Sequence, residues 1–114
     1  MNKSVDSKRK NWENQAITEL FRAILALRNA DEARRFFRDL LTEGEILEFG
    51  RRWRAARMLY RGVPYSEIGR QTWLSPRTIA RVSKWLNKGM GGYKLIISRF
   101  AKHHRALSFG KGLR

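Results

Sequence analysis

Apolar side chains recur at helical spacing along almost the whole chain, beginning with Trp12, Ala16, Ile17, Leu20, Phe21, Ile24 and Leu25. Residues three and four apart share one face of an α-helix, so this stripe predicts a long first helix with a single apolar side. A second stripe, Ala33, Phe36, Phe37, Leu40 and Leu41, follows a break near Asn29 to Asp31, where short polar side chains bond to nearby backbone. Thr42 and Glu45 then stand in the Thr-x-x-Glu spacing by which a hydroxyl and a carboxylate satisfy the free amides of a helix start. The third helix is expected to run to about Tyr60, with Ile46, Phe49, Trp53, Ala56 and Tyr60 inward. Arg51, Arg52, Arg54 and Arg57 surround that face with charge, and Arg61-Gly62 supplies a basic last turn and a left-handed stop.

Pro64 restarts the chain into a short helix holding Ile68, and Ser75-Pro76 marks the next start, with serine as N-cap and proline at the first helical position. The stretch from Ser66 to Leu86, SEIGRQTWLSPRTIARVSKWL, is therefore a helix-turn-helix pattern, expected to span 65–87. Ile68, Leu74, Ile79 and Val82 supply the apolar contacts between its helices, and Gly69 is small where they cross. The turn carries Trp73 where glycine is usual. Arg77, Thr78, Arg81 and Lys84 fall on the outward face of the second helix, 76–87. They are the residue types that bond phosphates and base edges, and the first turns of such a helix are the part that enters a major groove. Arg70 and Ser75 complete the candidate DNA-binding set, Ser75 beside a phosphate. Past Lys88-Gly89, the connector Met90-Gly91-Gly92 leads to Tyr93, Ile96, Ile97 and Phe100, which propose a last helix.

Charge sharpens this picture. The 114 residues carry 25 Lys or Arg against 10 Asp or Glu, a net charge of +15, and all ten acids lie between Asp6 and Glu67. From Ile68 onward there are eleven basic residues and none acidic, so the helix-turn-helix opens an uninterrupted positive half. Such a surface attracts polyanions: DNA, RNA or an anionic membrane. No apolar run approaches the roughly 18 residues of a spanning helix, and no hydrophobic segment follows the basic start MNKSVDSKRK, so insertion and secretion are not expected. Without cysteine there is neither disulfide nor thiolate metal site, consistent with a cytoplasmic, nucleoid-associated protein. The length suits about one domain: all-α over 11–105, between a flexible basic N-terminus at 1–10 and a flexible basic tail at 106–114.

No constellation for catalysis emerges, because a hydrolase or transferase needs a nucleophile with its base, paired carboxylates or metal ligands, so no enzyme, cofactor or metal is expected. Gly89, Gly91 and Gly92 fit neither a Walker loop nor a dinucleotide fingerprint and read as a helix-helix joint. His103 and His104 are adjacent, which points them in different directions on a helix and makes a poor shared metal site.

Leu40-Leu41-Thr42-x-x-Glu45, Arg52, Leu59-x-Arg61-Gly62 and Thr78-Ile79-x-Arg81 together resemble the tryptophan repressor family. Arg81-Val82-Ser83-Lys84-Trp85-Leu86-Asn87 and Gly91-Gly92-Tyr93 are more similar to its uncharacterised repressor-like branch; the likeness covers about 36–100. The resemblance implies six helices per subunit and an intertwined homodimer, joined through the first three helices and the last, presenting two recognition helices to successive major grooves. Independently, Trp12, Phe21, Phe36, Phe37 and Phe100 are more aromatic bulk than slender helices bury alone, a problem that pairing solves. In tryptophan-binding members the indole lies between two arginines, which fall here on Arg52 and Arg81. A threonine near the carboxylate falls on Thr42. The glycine beside the ring is Val82, and the serine near the ammonium is Trp85. An indole in place of that hydroxyl removes an acceptor and fills the space, so tryptophan is not expected as corepressor. Arg52 and Arg81 are then left to capping or phosphates. Alternatively Trp85 itself takes the corepressor's place between Arg52 and Arg81, locking the recognition helix for constitutive binding.

The reading is a dimeric, sequence-specific DNA-binding regulator, of which a repressor is the expected kind, acting on a two-half-site operator. Its rivals are an RNA-binding or ribosome-associated module gripping phosphates through the acid-free half, and a protein-bridging adaptor.

Overall fold

A computed structural model describes residues 12–112, with side chains to Lys102. It contains six α-helices and no strand among those residues: α1 (Gln15–Leu25), α2 (Ala30–Leu40), α3 (Glu43–Tyr60), α4 (Tyr65–Thr72), α5 (Pro76–Lys88) and α6 (Gly92–Gly112). The all-α class expected from periodicity is the observed one. The chain parts into two compact units, to Glu43 and from Gly44. α1 and α2 contain no buried residue, and the buried core belongs to the second unit.

Within the first unit, α1 and α2 are set by asparagine caps. Asn14 Oδ1 accepts from the Ile17 N–H at 3.0 Å, and Asn29 Oδ1 from the Glu32 N–H at 2.9 Å. Glu32 returns the favour, its carboxylate accepting from the Arg28 N–H at 3.0 Å, so two helix-start donors are satisfied reciprocally. Trp12 sits before α1 rather than in it and meets Phe21 edge-on, with ring centroids 6.4 Å apart.

In the second unit α3 starts at Glu43, directly after Thr42, where the Thr-x-x-Glu spacing put the start. Its inward face is the expected one in part. Ala56 is buried and Trp53 packs against the core as expected, but Ala55 and Met58 are buried too, whereas Phe49 and Tyr60 are 50% and 52% exposed. Alanine permits close approach of neighbouring backbone, so the small residues face the core and the aromatic ones flank it. Gly62 takes φ 81°, and the Val63 N–H returns to the Met58 carbonyl at 3.0 Å, the six-to-one bond that closes a helix end.

The core joins Ala55, Ala56 and Met58 to Ile68 and Leu74, to Ile79, Val82 and Leu86 of α5, and to Ile97 of α6. α5 thus packs between α4 and α6. Thr72 is the buried polar residue here; its hydroxyl donates to the Ile68 carbonyl at 2.7 Å and accepts from the Leu74 N–H at 3.3 Å. The turn is made without glycine: Trp73 takes the left-handed conformation, φ 63°, at a cost of roughly 1–2 kcal/mol for an L-residue, with its side chain 83% exposed. Gly69, expected to be small because helices cross there, has room for more. A Cβ would lie 3.6 Å from the Leu74 carbonyl oxygen and 3.7 Å from Ile79, ordinary contacts.

Gly89 is the glycine that geometry demands, since a Cβ there would stand 2.4 Å from the Trp85 carbonyl oxygen. Gly89→Ala must therefore unwind the last turn of α5 and is expected to lower stability by about 1–3 kcal/mol in urea denaturation. An unchanged midpoint would contradict the close approach.

α6 runs through Gly112, so most of the tail assigned to flexibility at 106–114 is helical. No proline stops it, and Ala101, Ala106 and Leu107 favour continuation. The side chains of His103 and His104 and the N-terminal segment 1–10 lie outside the described residues. No described helix is long and apolar enough to cross a membrane.

Candidate nucleic-acid interface

Serine before proline makes the start of α5 unambiguous. Ser75 Oγ accepts from the Thr78 N–H at 3.1 Å, and its own proton goes to Thr78 Oγ1, also 3.1 Å away. The Ser75 hydroxyl is thus engaged on both counts within the chain, while Thr78 keeps its hydroxyl proton for an outside acceptor. Pro76, at the first helical position, costs no hydrogen bond because that N–H would be unpaired anyway.

Burial of Ile79, Val82 and Leu86 fixes the rotation of α5, and the opposite face follows from helical spacing. Arg77, Arg81 and Lys84 lie four and three residues apart on that face and are exposed; Thr78 is half-buried at its edge. Among the described residues none of these three cations is in an ion pair. No acid stands on α5, so the Thr78 hydroxyl and three cations present donors on this face with no carboxylate of the same helix beside them.

Arg70 of α4 differs from them. Its guanidinium grips Glu67 with both forks, Nε to Oε1 at 3.0 Å and the second nitrogen to Oε2, which also accepts from Gln71 Nε2 at 2.5 Å. The hydrogen bonds from Arg70 and then Gln71 hold the Glu67 carboxyl at about 2, below its ordinary 4.5, and the same bond pushes the Arg70 guanidinium further up. An acid three residues before an arginine on a helix was the available signal for this pair. Since the folded carboxyl titrates low, the pairing's stabilisation is complete above pH 4.5 and is lost as pH falls toward 2. NMR titration of the Glu67 side chain should find its midpoint near 2 and, in Arg70→Gln, a return toward 4.5. A midpoint near 4.5 in the unaltered chain would show the pair open in solution.

The other predicted cluster is brought together in part. The Arg52 guanidinium lies 5.9 Å from the centroid of the Trp85 ring and pairs with Glu48, Nε to Oε2 at 3.2 Å. Arg81 is exposed and makes no ring contact with Trp85 among the described residues, so the expected two-sided sandwich is one-sided here. Val82 is wholly buried in the core, and Thr42 belongs to the first unit. Trp85 also borders an open apolar groove of about 600 Å³ with Trp53, Met90, Tyr93, Ile96 and Phe100. Trp53 stacks on Tyr93 at 6.2 Å and meets Phe100 edge-on at 5.9 Å. Burial pushes the Tyr93 phenol up, opposed by the charge of Arg52. Apolar spacing indicated these residues as helix packing; nothing in it indicated a shared groove.

Comparison with known proteins gives one consistent result. Residues 15–101 match the family model of the Trp repressor protein. The uncharacterized protein YerC of Bacillus subtilis (strain 168) is 40% identical over 83 residues, 73% of this chain and 80% of YerC. A TrpR-like protein from Eubacterium eligens ATCC 27750 superposes with a TM-score of 0.78 at 39% identity, covering 81% of this chain and 95% of the other. A second solved structure, from Staphylococcus aureus, gives 0.77 at 36% identity, covering 81% and 92%.

Proposed function

The chain belongs to the Trp repressor family, a family of DNA-binding regulators rather than enzymes, and on that premise we propose that it is a sequence-specific repressor working without tryptophan. The observation that carries the DNA reading is the outward face of α5, where Arg77, Arg81 and Lys84 stand unpaired beside a serine-capped helix start. A helix with that start can enter a major groove, with Arg77 and Thr78 nearest the base edges and Arg81 and Lys84 toward phosphates. Base contacts need not all be direct, since ordered waters between side chains and bases can carry specificity.

We further propose a homodimer. Each unit leaves aromatic side chains about half exposed, Trp12 and Phe21 in the first and Phe49, Tyr60 and Phe100 in the second, apolar area that a second copy would cover. Two copies then place two recognition helices on an operator of two half-sites about one helical turn apart. The setting consistent with this role is the cytoplasm, on the nucleoid.

Selection of bound sequences from random duplexes tests the reading: an enriched two-half-site palindrome is the expected result. Unselective retention with equal affinity for RNA would favour the rival, and no retention would refute both. Because Arg70 is engaged by Glu67, it contributes little free charge to the surface. Glu67→Gln is therefore expected to steepen the salt dependence of duplex binding by about one unit in log–log slope. An unchanged slope would place Arg70 away from the DNA.

For the effector, the proposal rests on Trp85. Its indole stands against Arg52, where a bound ligand's ring would otherwise lie. A cation facing an aromatic ring contributes about 0.5–2 kcal/mol, depending on desolvation, so the end of α5 is held by the chain's own side chain.

A further inference from the structure

Two arginines of α3 and one just past its end take no part in the surfaces above. Arg54 and Arg57 stand three residues apart on the helix, and Arg61 follows its last residue, Tyr60. With Met58 and with Gln71 of α4 they line a polar cleft of about 120 Å³. All three are exposed, and among the described residues none is in an ion pair; the carboxylates pair with Arg34, Arg35, Arg38, Arg52 and Arg70 instead. Arg57 is further oriented by Trp53, its guanidinium 5.9 Å from the ring centroid. Gln71 has given one amide hydrogen to Glu67 and keeps the second. Glu67, the acid closest in sequence to Gln71, has both oxygens engaged by Arg70 and does not neutralise the cluster.

Like charges gathered on a concavity without a counter-charge repel, and a bound anion removes that cost. The donors are guanidinium forks and an amide, the groups that match tetrahedral oxyanions by paired hydrogen bonds. The cleft is small, about 120 Å³, and polar.

We propose that the cleft between α3 and α4 binds a phosphoryl group, as a site separate from the recognition helix. The phosphate comes from a free phosphorylated metabolite or from duplex backbone beyond the groove read by α5, and only the second source rests on the proposed DNA function. Pyrophosphate is the probe, titrated calorimetrically into the full chain. Arg57→Gln/Arg61→Gln is expected to weaken its binding tenfold or more, while Arg77→Gln/Lys84→Gln leaves it within twofold. Arg54→Gln/Arg61→Gln, which keeps the Arg57–Trp53 contact, repeats the test should the first variant lose its fold. Duplex binding by the same variants separates the sources: a salt slope lower by about two assigns the site to DNA backbone, and an unchanged slope assigns it to a free phosphate. Pyrophosphate binding that is absent, or that falls equally in the cleft and recognition-helix variants, would overturn the proposal as bulk charge. A chain that binds no duplex at all would sink the DNA reading and leave the pyrophosphate comparison decisive.

Discussion

Replacing Arg77, Arg81 and Lys84 together by glutamine is expected to weaken duplex binding by about 10²–10⁴-fold and lower the log–log salt slope by about three units. Each cation stands on the exposed face of α5 with no carboxylate to hold it back, so each is available to displace a counterion from a phosphate. Arg77 is nearest the capped start, and its loss should also relax selection at one position of each half-site, at about 1–3 kcal/mol if it reads a guanine. The fold should not register the change. Ile79, Val82 and Leu86 carry the packing of α5 and Ser75 carries its cap, so the thermal midpoint is expected within a degree or two of the parent. Fluorescence anisotropy at several salt concentrations measures both quantities. Unchanged affinity and slope would move the interface off α5, whereas equal losses on RNA and on every duplex would leave a polyanion binder without sequence choice.

Much of this surface could be read from the sequence because its determinants are local. A serine before proline, apolar residues at 79, 82 and 86, and basic residues between them decide where α5 starts and which way it faces, whatever packs behind it. The stops and starts of α2, α3 and α4 were legible for the same reason. The inward face of α3 was legible only in part: Ala56 and Trp53 were placed correctly. Hydrophobicity favours Phe49 and Tyr60 over Ala55, but closeness of approach favours the alanine, and only the packed neighbours decide between them. The left-handed turn at Trp73 likewise contradicts local preference and is imposed by the two helices it joins. The meeting of Arg52 with Trp85 joins α3 to α5, and no spacing rule reaches across those 33 residues. There the family resemblance supplied the pair, though it also offered Arg81 as a second ring partner, which the geometry does not provide. Arg54 and Arg57 were legible as charge around the inward face of α3 and Arg61 as its basic last turn; the cleft against Gln71 is what joins them.

Trp85→Ser should convert a ligand-independent binder into one that responds to tryptophan. In the unaltered chain the indole covers Arg52, and adding tryptophan should change neither the melting midpoint nor the affinity for duplex. Serine removes the ring, leaves Arg52 held by Glu48 alone, and restores a hydroxyl that can accept from an ammonium group. Losing the cation–ring contact costs about 0.5–2 kcal/mol, enough to loosen the end of α5 and weaken duplex binding by about tenfold without tryptophan. Millimolar tryptophan should recover part of that loss, because a ligand that binds only the ordered form shifts the population toward it. Recovery should stay incomplete: Val82 is wholly buried and leaves no room beside the ring, and Arg81 makes no contact with the Trp85 ring among the described residues. Arg52→Ala separates the two roles of this pair, since it should weaken duplex binding as Trp85→Ser does but gain no response to tryptophan. If the unaltered chain tightens on DNA with micromolar tryptophan, Trp85 is not the occupant of that site. If Trp85→Ser matches the parent in both stability and affinity, the Arg52 contact is incidental to DNA binding.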